Sequence, residues 1–248
     1  MPASVLRTWD RLSHGSRTAG LFDPASVEDV PEPARRWIRH AIAPGTPLQL
    51  VAELDQHGTI KLGGWRPFRA EQILAPAHGY VWASTTRLAG LPIRGYDLLH
   101  DAAAQMRYRI LDAVPVMSLS GSDLARSAAG RLAAEIIWVP ALALTDTVHW
   151  AAVDERRVTA VVEYLQWTHE VMLTVAPSGA VEKVTLPRWA RVGKQPWGVH
   201  RFEAVLQDEA TFGGYTVPTH ATAGYDLDTA RLTDTAFITQ TIDSAAYL

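Results

Sequence analysis

The sequence predicts an α+β protein, mainly antiparallel β, with a curved sheet or half-barrel and a few helices covering an apolar cavity. Three observations carry this. Period-two alternation of apolar and polar residues recurs along most of the chain. Turn signals such as Asp154-Glu155-Arg156 and Pro177-Ser178-Gly179 separate closely spaced strand-like segments. No strand–helix alternation of the Rossmann kind interrupts them. Short connections between successive strands imply antiparallel neighbours and a meander.

The elements follow in order. Residues 1–30 read as a short helix and a loop. Pro31-Glu32-Pro33 opens a clearer helix, because proline is tolerated where the first-turn N–H has no helical partner. Ala34, Trp37, Ile38, Ala41 and Ile42 give it one apolar stripe, and Pro44-Gly45 stops it. The segment 1–45 is thus helical and 46–248 is sheet, the whole forming one domain of 1–248. Leu48, Leu50, Ala52 and Leu54 begin a hairpin whose turn is read at Gln56-His57-Gly58. Strands are expected at 79–88, 92–100, 104–112 and near 116–120. A helix inserted over 122–138, capped by Ser122 or Asp123, carries the apolar arc Leu124, Ala125, Ala128, Leu132, Ala133 and Ile136. Further strands are expected at 147–153, 157–166, 168–176, 180–186, 199–207, 214–223 and 235–242.

Composition excludes several functions. The 248 residues contain no cysteine, which removes disulfides and thiolate chemistry, and no asparagine, which removes N-glycosylation. A net charge of −3 gives no electrostatic footprint for nucleic acid. The first residues lack the apolar core of a signal peptide and the most apolar run, Leu132 to Leu144, is too short to span a bilayer. The expectation is a cytoplasmic protein with no stable membrane insertion. Dinucleotide, P-loop, zinc-protease and nucleophile-elbow motifs are absent, and the nine histidines lack metal-ligand spacing. No cofactor and no metal are expected.

The candidate chemistry lies in polar residues in phase with apolar ones. His169 alternates with Val171, Leu173 and Val175, and His200 with Phe202, Ala204 and Leu206, so each faces inward. An inward histidine is a candidate acid or base, or a satisfied core residue. Glu135 lies at the edge of the apolar helical arc, one turn after Arg131. It is either a pocket carboxylate or half of an i,i+4 ion pair. Asp97 shares a face with Ile93, Gly95 and Leu99; it is a second pocket acid or the partner of Arg94, Arg107 or Arg109. Trp65, Trp82, Trp138, Trp150, Trp197 and Tyr108 are candidate ligand-lining aromatics, with Trp65 and Trp197 in loop-like Gly/Pro surroundings.

Several of these pieces recur in a known order. Pro31 to Ala41, Trp65 to Gln72, Gly79-Tyr80-Val81-Trp82, Leu124 to Leu142, Arg188-Trp189 and Gly214 to Pro218 together resemble the DUF6544/DUF6920-type bacterial proteins common in actinomycetes. The resemblance covers about residues 30 to 225. It implies that Glu135 and Trp138 belong to a recurrent helix motif, and it attaches no activity. The strand order is also similar to the LolA and LolB lipoprotein carriers, whose curved sheet closes over an apolar cavity. Thr235-Ala236-Phe237 departs from the Tyr-Trp-like pair that the first resemblance leads one to expect.

Two functions follow from an apolar cavity with inward polar groups. The first is a cofactor-independent acid/base enzyme (cyclase, isomerase, lyase or hydrolase) acting on a hydrophobic small molecule, with Glu135, Asp97, His169 and His200 as its groups. The alternative is a non-catalytic protein that binds a lipid or other hydrophobic ligand. A packed core with no cavity is the third reading.

Overall fold

The computed structural model describes residues 1–14 and 20–248. One antiparallel sheet of 13 strands runs through it, in the order β6-β5-β4-β3-β2-β1-β13-β12-β11-β10-β9-β8-β7. Two helices precede it, α1 (Ala3–Ser13) and α2 (Glu32–Ala41). The first meander comprises β1 (Ala52–Lys61), β2 (Trp65–Ala75), β3 (Gly79–Leu88), β4 (Leu91–His100), β5 (Ala103–Ile110) and β6 (Val114–Ser120). Helix α3 (Ser122–Ala134) and two 3-10 segments, Glu135–Trp138 and Pro140–Leu144, follow. The second meander comprises β7 (Val148–Ala152), β8 (Arg157–Tyr164), β9 (Trp167–Val175), β10 (Val181–Ala190), β11 (Gly198–Phe212), β12 (Tyr215–Tyr225) and β13 (Ala236–Tyr247). β13 pairs with β1, so the first and last strands form the seam that joins the two meanders. This is the mainly antiparallel, curled half-barrel that period-two alternation predicts.

The two faces of the sheet have different covers. On the outer face, α1 lays Val5 and Leu12 against Val51, Ile73, Val81 and Leu98. The inner face carries the main core. α3 crosses it, packing on strands of both meanders, including β4, β5, β9 and β10. Leu124, Ala125, Ala128, Leu132 and Ala133, the predicted apolar arc, are all buried. Residues 135–143 are buried throughout, so the most apolar run of the chain is the plug of the half-barrel.

Three local expectations are corrected. The first hairpin turns at Leu62-Gly63-Gly64, where both glycines have positive φ (64° and 154°), and β1 runs straight through Gln56-His57-Gly58. Gly58 is required for a different reason: a Cβ there would lie 2.0 Å from the Thr239 carbonyl oxygen of β13. Trp65 accordingly opens a strand rather than a loop. Neither Ser122 nor Asp123 caps α3; its N-cap is Gly121 at φ 111°, and Asp123 accepts instead from the Trp189 indole at 2.9 Å.

Candidate functional site

Cross-strand register fixes which side chains meet on the inner face, because residues directly opposite in an antiparallel pair point the same way. On the first wall, Gln72 of β2 lies opposite Trp82 of β3, which lies opposite Asp97 of β4. Tyr80, Gln56 and Tyr108 share this face. On the second wall Arg188 of β10 lies opposite His200 of β11, and Leu186 opposite Phe202. α3 sits between the walls. Arg131 of α3 and Glu135, one turn further on in the first 3-10 segment, reach the first wall, while the Ser127 backbone carbonyl meets Arg188 of the second.

The first wall holds a continuous chain of hydrogen bonds. The Trp82 indole can only donate, and does so to Gln56 Oε1 at 3.2 Å. Gln56 then donates to Gln72, and Gln72 Nε2 donates to Glu135 Oε2 at 2.8 Å. Arg131 Nε donates to Glu135 Oε1 at 2.7 Å and Nη1 to Asp97 Oδ2 at 2.9 Å. Tyr80 OH also donates to Asp97 Oδ2, at 2.9 Å. Burial works against the charge of Arg131, but Glu135, Tyr80 and Asp97 together hold its pKa above the ordinary guanidinium value. The guanidinium also lies 4.7 Å from the Tyr80 ring centroid and 5.3 Å from that of Trp82. Burial, then the Asp97 charge, pushes the Tyr80 phenol well above its usual range. Tyr80 is therefore a neutral donor.

Asp97 and Glu135 are thus brought together, both buried and both on Arg131. The expected partner of Asp97 is corrected. Arg94, Arg107 and Arg109 point to the outer face, and Arg94 pairs with Asp112 there. The i,i+4 pair of Arg131 with Glu135 is as the spacing predicts.

His169 and His200 lie across α3 on the second wall, apart from the two acids. Arg188 stands with them. A Cβ on Gly130 of α3 would lie 3.2 Å from Arg188 Cγ and 3.5 Å from His169 Cε1, so the helix, the arginine and the imidazole are packed together through a glycine. Burial, then the charges of Arg188 and Arg126, lowers the His169 pKa to about 4 and keeps it neutral. Arg188 Nε donates to the Ser127 carbonyl at 3.1 Å, and its guanidinium lies 5.1 Å from the Phe202 ring centroid. Among the described residues, no carboxylate pairs with it. The sequence reading missed Arg188 as a site residue. Its signal is that it alternates with Val184 and Leu186 and so stands on an apolar face.

The candidate aromatics divide. Trp82 and Tyr108 line the first wall, with Tyr108 OH 3.2 Å from Ser84 Oγ. Trp197 is half-buried in the loop before β11 and packs against the main core, which also holds the ring cluster of Phe202, Tyr225 and Phe237. Trp138 is buried in the plug and donates to the Pro218 carbonyl at 3.0 Å. Trp150 packs edge-on against Trp37 of α2, far from the acids in the fold. Trp65 points outward, under the Lys61 ammonium.

Six buried polar side-chain atoms lack a partner among the described residues: Arg66 Nε, Asp97 Oδ1, His169 Nε2, His200 Nε2, Glu203 Oε2 and Tyr247 OH. All but Glu203 belong to inward-facing strand positions. The inner face is also incompletely covered at its β6 edge, where Met117 and Leu119, opposite Tyr108 and Met106, are each 37% exposed. An open depression lies on the outer face. It is a groove of about 1440 Å³ lined by Arg69, Arg94, Arg107, Glu71 and Asp243 among others, with charges of both signs. On the inner face, α3 and the buried residues 135–143 occupy much of the space between the walls. Among the described residues no helix is long and apolar enough to cross a membrane, and no group of three or more acidic or histidine side chains is placed to hold a metal.

Residues 20–236 match the family of unknown function DUF6544. The chain belongs to this family. Two solved structures are similar to this DUF6544 chain. One is a LolA superfamily protein from Nitrosomonas europaea, with 9% identity, a TM-score of 0.49, and coverage of 87% of this chain and 92% of that one. The other is a domain from Vibrio parahaemolyticus described as an outer membrane lipoprotein-sorting protein, with 5% identity, a TM-score of 0.40, and coverage of 79% and 85%. No curated protein matches the sequence.

Proposed function

We propose that this DUF6544 protein is a non-catalytic binder of a hydrophobic small molecule, held against the inner face of the half-barrel. The observation that carries the reading is that five of the six buried polar atoms without a partner among the described residues belong to that face. Buried donors and acceptors in folded proteins nearly always find partners. A set left open on one apolar surface suits a ligand that is mainly apolar and carries a few polar atoms. The half-buried Tyr225 and Phe237, stacked on each other beside Phe202, supply apolar surface on the second wall, and the inward-facing Met117 and Leu119 supply more at the β6 edge.

An acid/base enzyme is the less favoured reading. Both candidate carboxylates are engaged by Arg131, and the two histidines lie on the opposite wall. The network accounts for Asp97 and Glu135 as a brace between α3 and the sheet.

The test is titration of the purified protein with the neutral fluorophore 1-aminoanthracene, alone and against Phe202→Glu, which sets a charge among the inner-face aromatics. Saturable binding at one site per chain, lost in the variant while the fold is kept, is the expected result. Wild-type protein that shows no saturable enhancement would overturn the reading.

A further inference from the structure

The binding reading leaves open what polar group the ligand carries, and the second wall answers through charge. Arg188, His200 and His169 occupy neighbouring strands β10, β11 and β9, all facing inward. His169 is 9% exposed and its Nε2 has no partner; His200 Nε2 is buried and also has none. Arg188 is partly buried, and among the described residues its Nε alone is engaged, by the Ser127 carbonyl. The fork formed by its two terminal nitrogens is unoccupied by any described carboxylate. Packing of Arg188 against Gly130 on one side and the Phe202 ring on the other holds the fork in place.

The charge count on this surface has one sign in excess. Inward-facing Arg66 and Arg188, with Arg131 from α3, set three guanidiniums against the two carboxylates Asp97 and Glu135. Both carboxylates are already bound to Arg131. Arg188 is a half-buried cation with no described carboxylate beside it, so a monoanion there would supply its counter-charge. A planar carboxylate matches the guanidinium fork through two parallel hydrogen bonds. Imidazole N–H groups on either side would add donors, and the surroundings are apolar and aromatic: Leu186, Phe202, Tyr225 and Phe237.

We propose that the ligand is an apolar carboxylic acid whose carboxylate is held by the Arg188 fork between His169 and His200, with its hydrocarbon body along the inner face. This rests on the binding reading above and narrows it to one chemical class. It makes Arg188 the residue that selects the ligand rather than one that reacts with it.

The experiment compares three probes with the same tail, dodecanoate, dodecanol and dodecyl phosphate, by isothermal titration below their aggregation concentrations. Wild-type protein is expected to bind dodecanoate roughly tenfold or more tighter than dodecanol, the margin of a charge-assisted hydrogen bond. In Arg188→Gln that preference for the acid over the alcohol should vanish; Arg188→Lys should recover part of it. The wild-type comparison needs no variant and decides the matter even if Arg188→Gln fails to fold. Equal affinity for acid and alcohol overturns the carboxylate assignment and leaves the binding reading standing. Tighter binding of dodecyl phosphate overturns it in favour of a phosphate head. Binding of none of the three overturns both.

Discussion

Arg131 Nη1 of α3 lies 2.9 Å from Asp97 Oδ2 of β4, and the same guanidinium holds Glu135 one helical turn on. A single cation therefore ties the plug helix to the first wall and satisfies two buried acids. Removing it leaves both carboxylates buried and unpaired. Arg131→Met is expected to cost about 3–5 kcal/mol of stability, the range for breaking a buried ion pair from one side. Asp97→Asn should cost less, because Glu135 keeps its partner and Tyr80 can still donate to the amide oxygen. Urea midpoints of the two variants check the order. Equal, small losses would mean that the network does not brace the helix.

The seam between β1 and β13 makes a second prediction. Gly58 passes so close to Thr239 that an added methyl group would meet its carbonyl oxygen at 2.0 Å and the Gln240 Cα at 2.8 Å. Both atoms are backbone, so the strands must separate. Gly58→Ala is expected to destabilise by about 2–4 kcal/mol, in the range of severe overpacking. Gly63→Ala, at the hairpin tip where a Cβ meets nothing within 4 Å, pays only for its positive φ and should cost less. Thermal melts of the pair distinguish the two roles.

Those glycines also show what the sequence can and cannot reveal. Period-two alternation located β3 to β13, since it follows from burying one face of a sheet, but it gave no strand for β2 and divided β1 at a turn. Gln56-His57-Gly58 looked like a turn because glycine signals both turns and close backbone approach, and only the pairing with β13, some 180 residues away, tells them apart. The i,i+4 pair Arg131–Glu135 was legible because helix geometry is local. Asp97 was legible as inward, but its partner was not: Arg131 lies 34 residues on, and nearer arginines on β4 and β5 face the other way. Arg188 was missed because the expected strand ended at 186, whereas β10 runs on to Ala190, and its packing against Gly130 of α3 is a contact some 58 residues apart.

Acid should weaken the fold through His169. Its folded-state pKa, about 4, lies below the ordinary value of 6.5, because of burial first and then Arg188 and Arg126. The unfolded chain therefore binds the proton more tightly. The stabilising effect is fully present above about pH 6.5 and is lost as pH falls toward 4. Wild type should lose on the order of 2 kcal/mol more than His169→Gln between pH 7 and pH 4.5. Taking the difference between the two proteins cancels other titrating groups. Parallel pH profiles would show that His169 is not held neutral.

The two tryptophans of the plug and the rim should separate stability from binding. Trp138 is buried within the plug and donates to the Pro218 carbonyl of β12 at 3.0 Å. Trp138→Phe keeps most of the ring volume but strands that carbonyl, at an expected cost of about 1–2 kcal/mol. Affinity for 1-aminoanthracene should stay within about twofold of wild type, because the indole faces packed protein. Trp197 is half-buried in the loop before β11, where it packs against the edge of the main core. Trp197→Ala should leave the urea midpoint nearly unchanged and weaken probe binding severalfold, since a rim aromatic covers ligand surface that is otherwise exposed to water. Loss of probe affinity in Trp138→Phe but not in Trp197→Ala would place the bound molecule under the plug instead of at the inner-face aromatics.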